Sequence, residues 1–410
     1  MGDWLGRTIE LDVTNIAHGG VSVARHDGRV VFVADAIPGE RVLARVSSDS
    51  KKSFWRAETV EVLEASPHRQ PHVWDAAALD RDPVDRAGGA EFGHIELAHQ
   101  RELKRQVITD SLARMARIER DVTVEVVPGD DDRAGTGWRT RVRLHVDDQG
   151  RPGPFAARSH RVIPVTSLPL ATAELEASAP LGERFDGYES VDVLNPSTGG
   201  VRLIVGDQKP SVITERVGER EFRLADSGFW QVHRGAAATL TEAVQSAIDP
   251  ELFDPQAANL DLYGGVGLLA AAVADRFGPS TRITSVESDA TATDFAAENL
   301  SEWLGARAET GRVERWVAAL AASAGPSERE RLARATVVLD PPRAGAGRDV
   351  VEAVARLKPA QVVYVACDPV AFARDTALFA DLGYHLGGLR AFDLFPHTHH
   401  VEAVGTFTRT

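Results

Sequence analysis

The chain has 410 residues, is 43% hydrophobic and 26% charged, and carries a net charge of −14. Its length allows more than one domain and a sizeable core, and its acidic balance argues against nucleic-acid binding through net charge alone. No run of about 18 apolar residues is available to span a membrane, and the single cysteine excludes an internal disulfide or a thiolate-held metal cluster.

The first residues, "MGDWLGRTIELDV", lack the basic and apolar regions of a secretory signal. With so little cysteine, the expectation is a cytoplasmic protein. Residues 7–65 read as short strands. "GVSVARHDGRVVFVADAIPGERVLARV" alternates apolar and polar positions and turns at Asp27-Gly28, a hairpin signal, and at Pro38-Gly39. This spacing predicts a five-stranded barrel of the OB type, a common platform for nucleic acids. "EASPHRQPHVW", 64–74, reads as a linker. Residues 96–120 have helical periodicity through Leu97, Leu103, Val107, Leu112 and Met115. Residues 133–161 hold seven arginines and two aspartates, a candidate basic binding face in an otherwise acidic chain. The pattern from 138 to about 225 is mostly strand-like.

From 236 onward helical and strand-like segments alternate: "GAAATLTEAVQSAI", "AANLDLYGGVGLLAAAVADRFG", "RITSVESDATATDFAAENL", "ATVVLDPPRAGAG" and "AQVVYVACDP". That alternation predicts an α/β domain built on an open parallel sheet with helices on both faces. The expected organisation is a β-barrel over 1–66, a mainly β central domain over 67–225 and a Rossmann-like α/β domain over 226–410. Ligands of such sheets sit beyond the carboxyl ends of the strands. Asp261, Glu287, Asp340 and Cys367 all fall there.

Glycines at 264, 265 and 267 let a ligand approach the backbone. Their spacing differs from the dinucleotide fingerprint, which disfavours NAD. Glu287, ending the next strand, is placed to accept both hydroxyls of a ribose. Together they suggest a nucleoside ligand held without a phosphate cradle, such as S-adenosylmethionine. "LDPPR", 339–343, makes a stiff ledge beside Asp340. Cys367 alone could be a small core residue. Paired with Glu402 it can do specific chemistry. A thiolate adding to carbon 6 of a pyrimidine makes carbon 5 nucleophilic, and a general base must later remove the carbon 5 proton.

These residues resemble the S-adenosylmethionine-dependent RNA uracil-5-methyltransferases, which form 5-methyluridine in tRNA or rRNA. The resemblance covers nearly the whole chain. It rests most specifically on "LDPPRAG", "YVACDPVAFARDTALF" and "DLFPHTHHVEAV", with "SGFWQVHRGAAATL" and "DLYGGVGLL" before them. Residues 7–65 are similar to the TRAM barrel of many members. The resemblance implies Cys367 as nucleophile and Glu402 as general base. It implies Gln231, Tyr263, Gly265, Leu268, Glu287 and Asp340 around the methyl donor. RNA, either rRNA or tRNA, is the implied partner, met by the barrel and by Arg139, Arg141, Arg143 and Arg158. No membrane is implied, and the default expectation is a monomer.

Three departures stand out. Arg81, Ala87, Ala90 and Leu168 occupy the places where many relatives have four cluster-binding cysteines, so neither an iron–sulfur cluster nor any other metal is expected. Leu268 stands where a polar residue is common. "RWVAALAASAG" lacks the acid or amide expected to meet adenine. A cytosine-5 enzyme acting on RNA would have a second cysteine in its site, and an amino-group methyltransferase would need no thiol. The rival from another class is an RNA-binding protein whose donor site has decayed.

Overall fold

A computed structural model of the chain describes residues 4–409. β1 (Thr8–Ala17), β2 (Val21–His26), β3 (Arg29–Ala34), β4 (Arg41–Ser48) and β5 (Phe54–Glu64) close into a barrel in the order β1-β2-β3-β5-β4. Only the β3–β5 pair is parallel. Asp27 and Gly28 both have positive φ, 48° and 79°, as a tight hairpin matching strand twist requires. Every second residue points inward, so Leu11, Val13, Val31, Val33, Val42, Ala44 and Trp55 fill the interior.

The expected helix over 96–120 is shorter. α1 (Leu97–Ser111) gives way to a π-helical turn over Leu112–Ala116 and then to left-handed Arg117. The wider turn shifts the register. Leu103 and Leu112 stay buried, while Met115 is exposed rather than on the apolar face. After β6 (Val124–Val126), β7 (Arg141–Val146), β8 (Pro152–Gly153), α2 (Ala173–Ser178), β9 (Ser190–Leu194) and β10 (Arg202–Val205) form the central unit, whose sheet runs β10-β9-β7-β8. The hairpin of β11 (Val212–Val217) and β12 (Arg220–Ala225) leads out of it. Ala87, Ala90 and Leu168 pack in one apolar cluster there with Trp74, Trp138 and Leu144. Among the described residues, no group of three or more His, Cys, Asp or Glu side chains could hold a metal ion.

The last unit contains α3 (Ala236–Ala247), β13 (Asn259–Leu262), α4 (Leu268–Phe277), β14 (Ile283–Glu287), α5 (Ala290–Asn299), β15 (Ala306–Thr310), α6 (Val313–Ser323) and α7 (Pro326–Leu332). It continues through β16 (Thr336–Leu339), α8 (Gly347–Leu357), β17 (Gln361–Ala366), α9 (Pro369–Asp381), β18 (Tyr384–Asp393) and β19 (Glu402–Arg409). The sheet order is β15-β14-β13-β16-β17-β19-β18-β6. The sheet is parallel except at β19, which is antiparallel to both its neighbours. Alternate residues of each central strand serve two cores. Leu260, Val337 and Val362 meet α6, α8 and α9, while Val338, Val363 and Val365 meet α3 and α4. Burying each such side chain contributes about 1.5–3 kcal/mol.

Residues 97–126, expected in the central domain, dock on this last unit. α1 packs on α9, and β6 extends the sheet beside β18. A buried ion pair, Lys104 Nζ to Asp393 Oδ1 at 2.5 Å, fixes α1 to the end of β18.

Candidate active site

Strand order reverses at β13, which pairs with β14 on one side and β16 on the other. A crevice opens beyond such a point. Tyr263 leaves β13 in a left-handed conformation, φ 67°. Its N–H and that of Gly264 both donate to the Val286 carbonyl. A Cβ on Gly264 would lie 1.9 Å from Ser285 Oγ and 2.7 Å from Asp261 Oδ2, so only glycine fits. Asp261 lies beneath this loop, accepting from Ala270 N–H and Ser285 Oγ at 3.2 Å each. Burial pushes its carboxyl up to about 7, against those two hydrogen bonds. Glu287 is pinned across the loop. Its Oε2 accepts from Gly265 N–H at 3.2 Å, and its Oε1 accepts from Asp289 N–H at 2.9 Å.

Cys367 and Glu402 are brought together by strand register. Ala366 ends β17 directly opposite Ala403 on β19. The next pair outward is therefore Cys367 and Glu402. Facing residues in an antiparallel pair have Cα atoms about 4.5–5.5 Å apart. Glu402 is buried, and Cys367 is half-buried. After Cys367 the chain enters α9, whose N-terminus Asp368 caps by accepting from Ala371 N–H at 2.8 Å.

A cavity of about 1140 Å³ joins these features. Gln231, Tyr263, Gly265, Glu287, Asp340, Cys367, Glu402 and Arg139 all line it. Leu268 does not. It is the first residue of α4 and packs against the apolar cluster beneath. The stretch 316–322 does not face the cavity either, because it lies within α6. β15 ends at Thr310, so Arg312, Val313 and Glu314 form the wall there. An acid, Glu314, therefore lines the cavity wall that "RWVAALAASAG" was expected to form. β15 escaped the sequence reading because its half-exposed "ARAET" has no apolar alternation.

Of the four arginines expected to meet RNA, only Arg139 reaches the cavity. Arg141 donates to the Gly228 carbonyl at 2.7 Å and pairs with Glu215. Arg143 makes two 2.7 Å bonds to Asp192. Arg158 bonds Glu58 at 2.6 Å. Arg133, Arg151 and Arg161 are also paired, with Asp130, Asp147 and Asp85. The basic stretch is thus largely neutralised, mostly by acids on other elements that a local charge count does not see.

The electrostatics of the cavity are dominated by burial. The Cys367 thiol is pushed up to about 12 by burial and then by Glu402 and Asp340, with Arg343 opposing. Burial and the Asp340 charge raise Glu402 well above the usual carboxylate range. Asp340 is pushed to about 7 by burial and Asp261. Glu91, which sequence reasoning missed, lines the same cavity. Burial would raise it, but His399 beside it brings it down to about 2. No sequence signal marked Glu91, since it sits in a segment read only for lost cysteines. His400 also faces the cavity and is lowered to about 3, by burial and then by the charges of His399 and Arg343.

A doubly wound sheet with a glycine loop, an acid at the end of the neighbouring strand and a large cavity at its switch point is the architecture of the Rossmann-like methyltransferase class. Residues 221–409 match the family model of tRNA (uracil-5-)-methyltransferase, and residues 4–60 match the TRAM domain. A protein of Streptomyces avermitilis described as an uncharacterised RNA methyltransferase is 36% identical, covering 98% of each chain. A similarly described Bifidobacterium longum protein is 34% identical over 98% of this chain and 96% of its own. The crystal structure of Pyrococcus abyssi tRNA (uracil-54, C5)-methyltransferase with S-adenosyl-L-homocysteine shares the fold, with TM-score 0.68, 20% identity and coverage of 97% and 100%. The chain belongs to the S-adenosylmethionine-dependent RNA uracil-5-methyltransferase family.

Proposed function

We propose that the protein transfers a methyl group from S-adenosylmethionine to carbon 5 of a uridine in rRNA or tRNA. The observation that carries this reading is the register of β17 and β19. It sets a thiol and a buried carboxyl face to face in a cavity shared with the glycine loop.

The residues fit the donor. Gly264 leaves the loop flat where any Cβ would collide, Glu287 is held at the cavity wall, and Glu314 offers an acid for the adenine amino group. Gln231, Tyr263, Gly265 and Asp340 complete its surroundings. The uridine must leave its stack to reach Cys367. Arg139 is half-buried and its Nε donates to the Arg141 carbonyl. No carboxylate among the described residues pairs with it, so its remaining donors are available to the uracil oxygens. The Cys367 thiolate adds to carbon 6. Carbon 5 then takes the methyl group, and S-adenosylhomocysteine leaves. Glu402 removes the carbon 5 proton as the sulfur–carbon 6 bond breaks, which restores the ring and the thiolate.

RNA lacking the modification, incubated with protein and S-adenosylmethionine and digested to nucleosides, should yield new 5-methyluridine by mass spectrometry. Cys367→Ala should abolish both product and covalent adduct. Glu402→Gln should instead accumulate a methylated RNA–protein adduct that survives denaturing electrophoresis. Product from Cys367→Ala would sink the covalent mechanism, and a Glu402→Gln variant that turns over normally would move the base elsewhere.

A further inference from the structure

Methyl transfer engages carbons 5 and 6 of the uracil and leaves its other edge without a partner. That edge presents O2, N3–H and O4, a donor between two acceptors. N3 is the ring atom opposite carbon 6. With carbon 6 at Cys367 and carbon 5 at Glu402, N3–H points away from both, toward a wall that must offer an acceptor. Cytosine carries a bare lone pair at N3, so the group that meets N3 decides between the two bases.

Glu91 has the placement for this. It stands between Ala90 and Phe92, 1% and 3% exposed, while its own side chain keeps 30% of its surface open. Gly89, Glu91 and Arg139 reach the cavity from the central unit. The segment is tightly held. Gly88 N–H donates to the Phe155 carbonyl at 2.9 Å, and a Cβ on Gly93 would come within 2.4 Å of the His72 ring. Phe92 N–H donates to the His397 carbonyl at 2.9 Å, which fastens Glu91 beside the loop that leads to Glu402.

The carboxylate is also left open to a ligand. Among the described residues, no arginine or lysine pairs with it. His399 Nδ1 lies 3.6 Å from Glu91 Oε2, too far for a hydrogen bond, and is buried without a hydrogen-bond partner. Burial would raise the Glu91 carboxyl, but His399 holds it at about 2, so it is ionised and can only accept. Burial lowers the Arg139 guanidinium and the Glu91 charge opposes that, yet the two do not close into an ion pair. An open acceptor near an open donor set matches N3–H and an adjoining carbonyl oxygen of uracil. The other acids are committed elsewhere. Burial raises Glu402 and Asp340, and Glu287 holds the glycine loop.

Resting on the uridine reading above, we propose that Glu91 selects uracil. Its carboxylate accepts N3–H of the flipped base while Arg139 donates to the carbonyl oxygen beside it. A cytosine in the same pose would set its N3 lone pair against the carboxylate, two acceptors with no proton between them.

The test first maps the 5-methyluridine that wild type forms on rRNA and tRNA transcripts, then compares transcripts carrying uridine or cytidine at that position. Glu91→Ala should lower kcat/KM on the uridine transcript by about 10- to 100-fold, the loss expected when a buried donor faces no acceptor. Its S-adenosylmethionine affinity should be unchanged. Glu91→Gln is the sharper variant, because an amide accepts from uracil N3–H or, turned over, donates to cytosine N3. Wild type should bind the uridine transcript at least about tenfold more tightly than the cytidine transcript, and Glu91→Gln should bring the two within about threefold. A purely structural Glu91 would weaken both alike and leave their ratio unchanged, which would overturn the proposal. Equal binding by wild type would do the same. Should the variants not fold, wild type decides. With heavy nitrogen at N3 of the target uridine, the imino proton should be protected from exchange in the complex with S-adenosylhomocysteine. An imino proton lost to solvent overturns the contact. Wild type that forms 5-methyluridine while Glu91→Ala matches its rate loses the Glu91 assignment alone. Wild type that modifies no transcript loses the uridine reading with it.

Discussion

Cys367 is a reluctant nucleophile as it stands. Its thiol is pushed up to about 12, chiefly by burial, with Glu402, Asp340 and Asp368 adding to the effect and Arg343 opposing it. The thiolate is the reactive form. Alkylation of the free protein by iodoacetamide should therefore be slow at pH 7 and rise about tenfold per pH unit through pH 9 without a plateau. Arg343→Gln should slow it further at every pH, because the remaining charges all favour the protonated thiol. A plateau near pH 8 would show that the resting site already activates the sulfur. The sequence marked Cys367 and Glu402 by type and motif. It carried no trace of the pKa, which comes from burial and from Asp340 arriving from another strand.

Among the elements, the glycine loop is the most constrained. Gly264 has a backbone that any residue could adopt. It is the space that forbids a side chain, since Ser285 and Asp261 occupy it. Gly264→Ala should destabilise the fold by about 1–3 kcal/mol through overpacking. It should also weaken S-adenosylmethionine binding by at least tenfold in calorimetry, by lifting the loop from Val286. Unchanged donor affinity would remove the loop from the donor site. Elements with strong local patterns were legible: the Asp27-Gly28 hairpin, the apolar strands β13, β14, β16 and β17, and the helices between them. Elements held by distant partners were not. The half-exposed β15, the short β6 and the antiparallel β18–β19 edge acquire their identity only from the strands beside them.

At the scale of the whole molecule, the three units are fastened by buried charge. Arg86 is 3% exposed in its side chain and ties the barrel to the central unit. It donates to Asp35 Oδ2 at 2.6 Å, Thr59 O at 2.9 Å, Leu79 O at 2.9 Å and Arg81 O at 3.0 Å. It belongs to the same segment as Ala87 and Ala90, which pack in the central apolar cluster. Packing and one guanidinium hold that segment here. Arg86→Met should cost about 3–5 kcal/mol, toward the low end because Asp35 keeps some solvent. The cost would appear as a lower urea midpoint, and a midpoint within error of wild type would show the staple to be dispensable.

By itself, the sequence determined the α/β alternation, the barrel, and the residue types at the strand ends, because those depend on local periodicity and on motifs a few residues long. It also determined that one thiol and one carboxyl were available for covalent pyrimidine chemistry. Tertiary structure decided the rest. Pairing across β17 and β19 set Cys367 opposite Glu402. Strand β15 put Glu314 in the cavity wall instead of 316–322. Acids from β5, β9 and β11 paired with Arg141, Arg143 and Arg158, leaving Arg139 unpaired at the cavity. Each of these depends on which segments meet, and long-range contact, burial and charge pairing are not encoded in any short window of the chain.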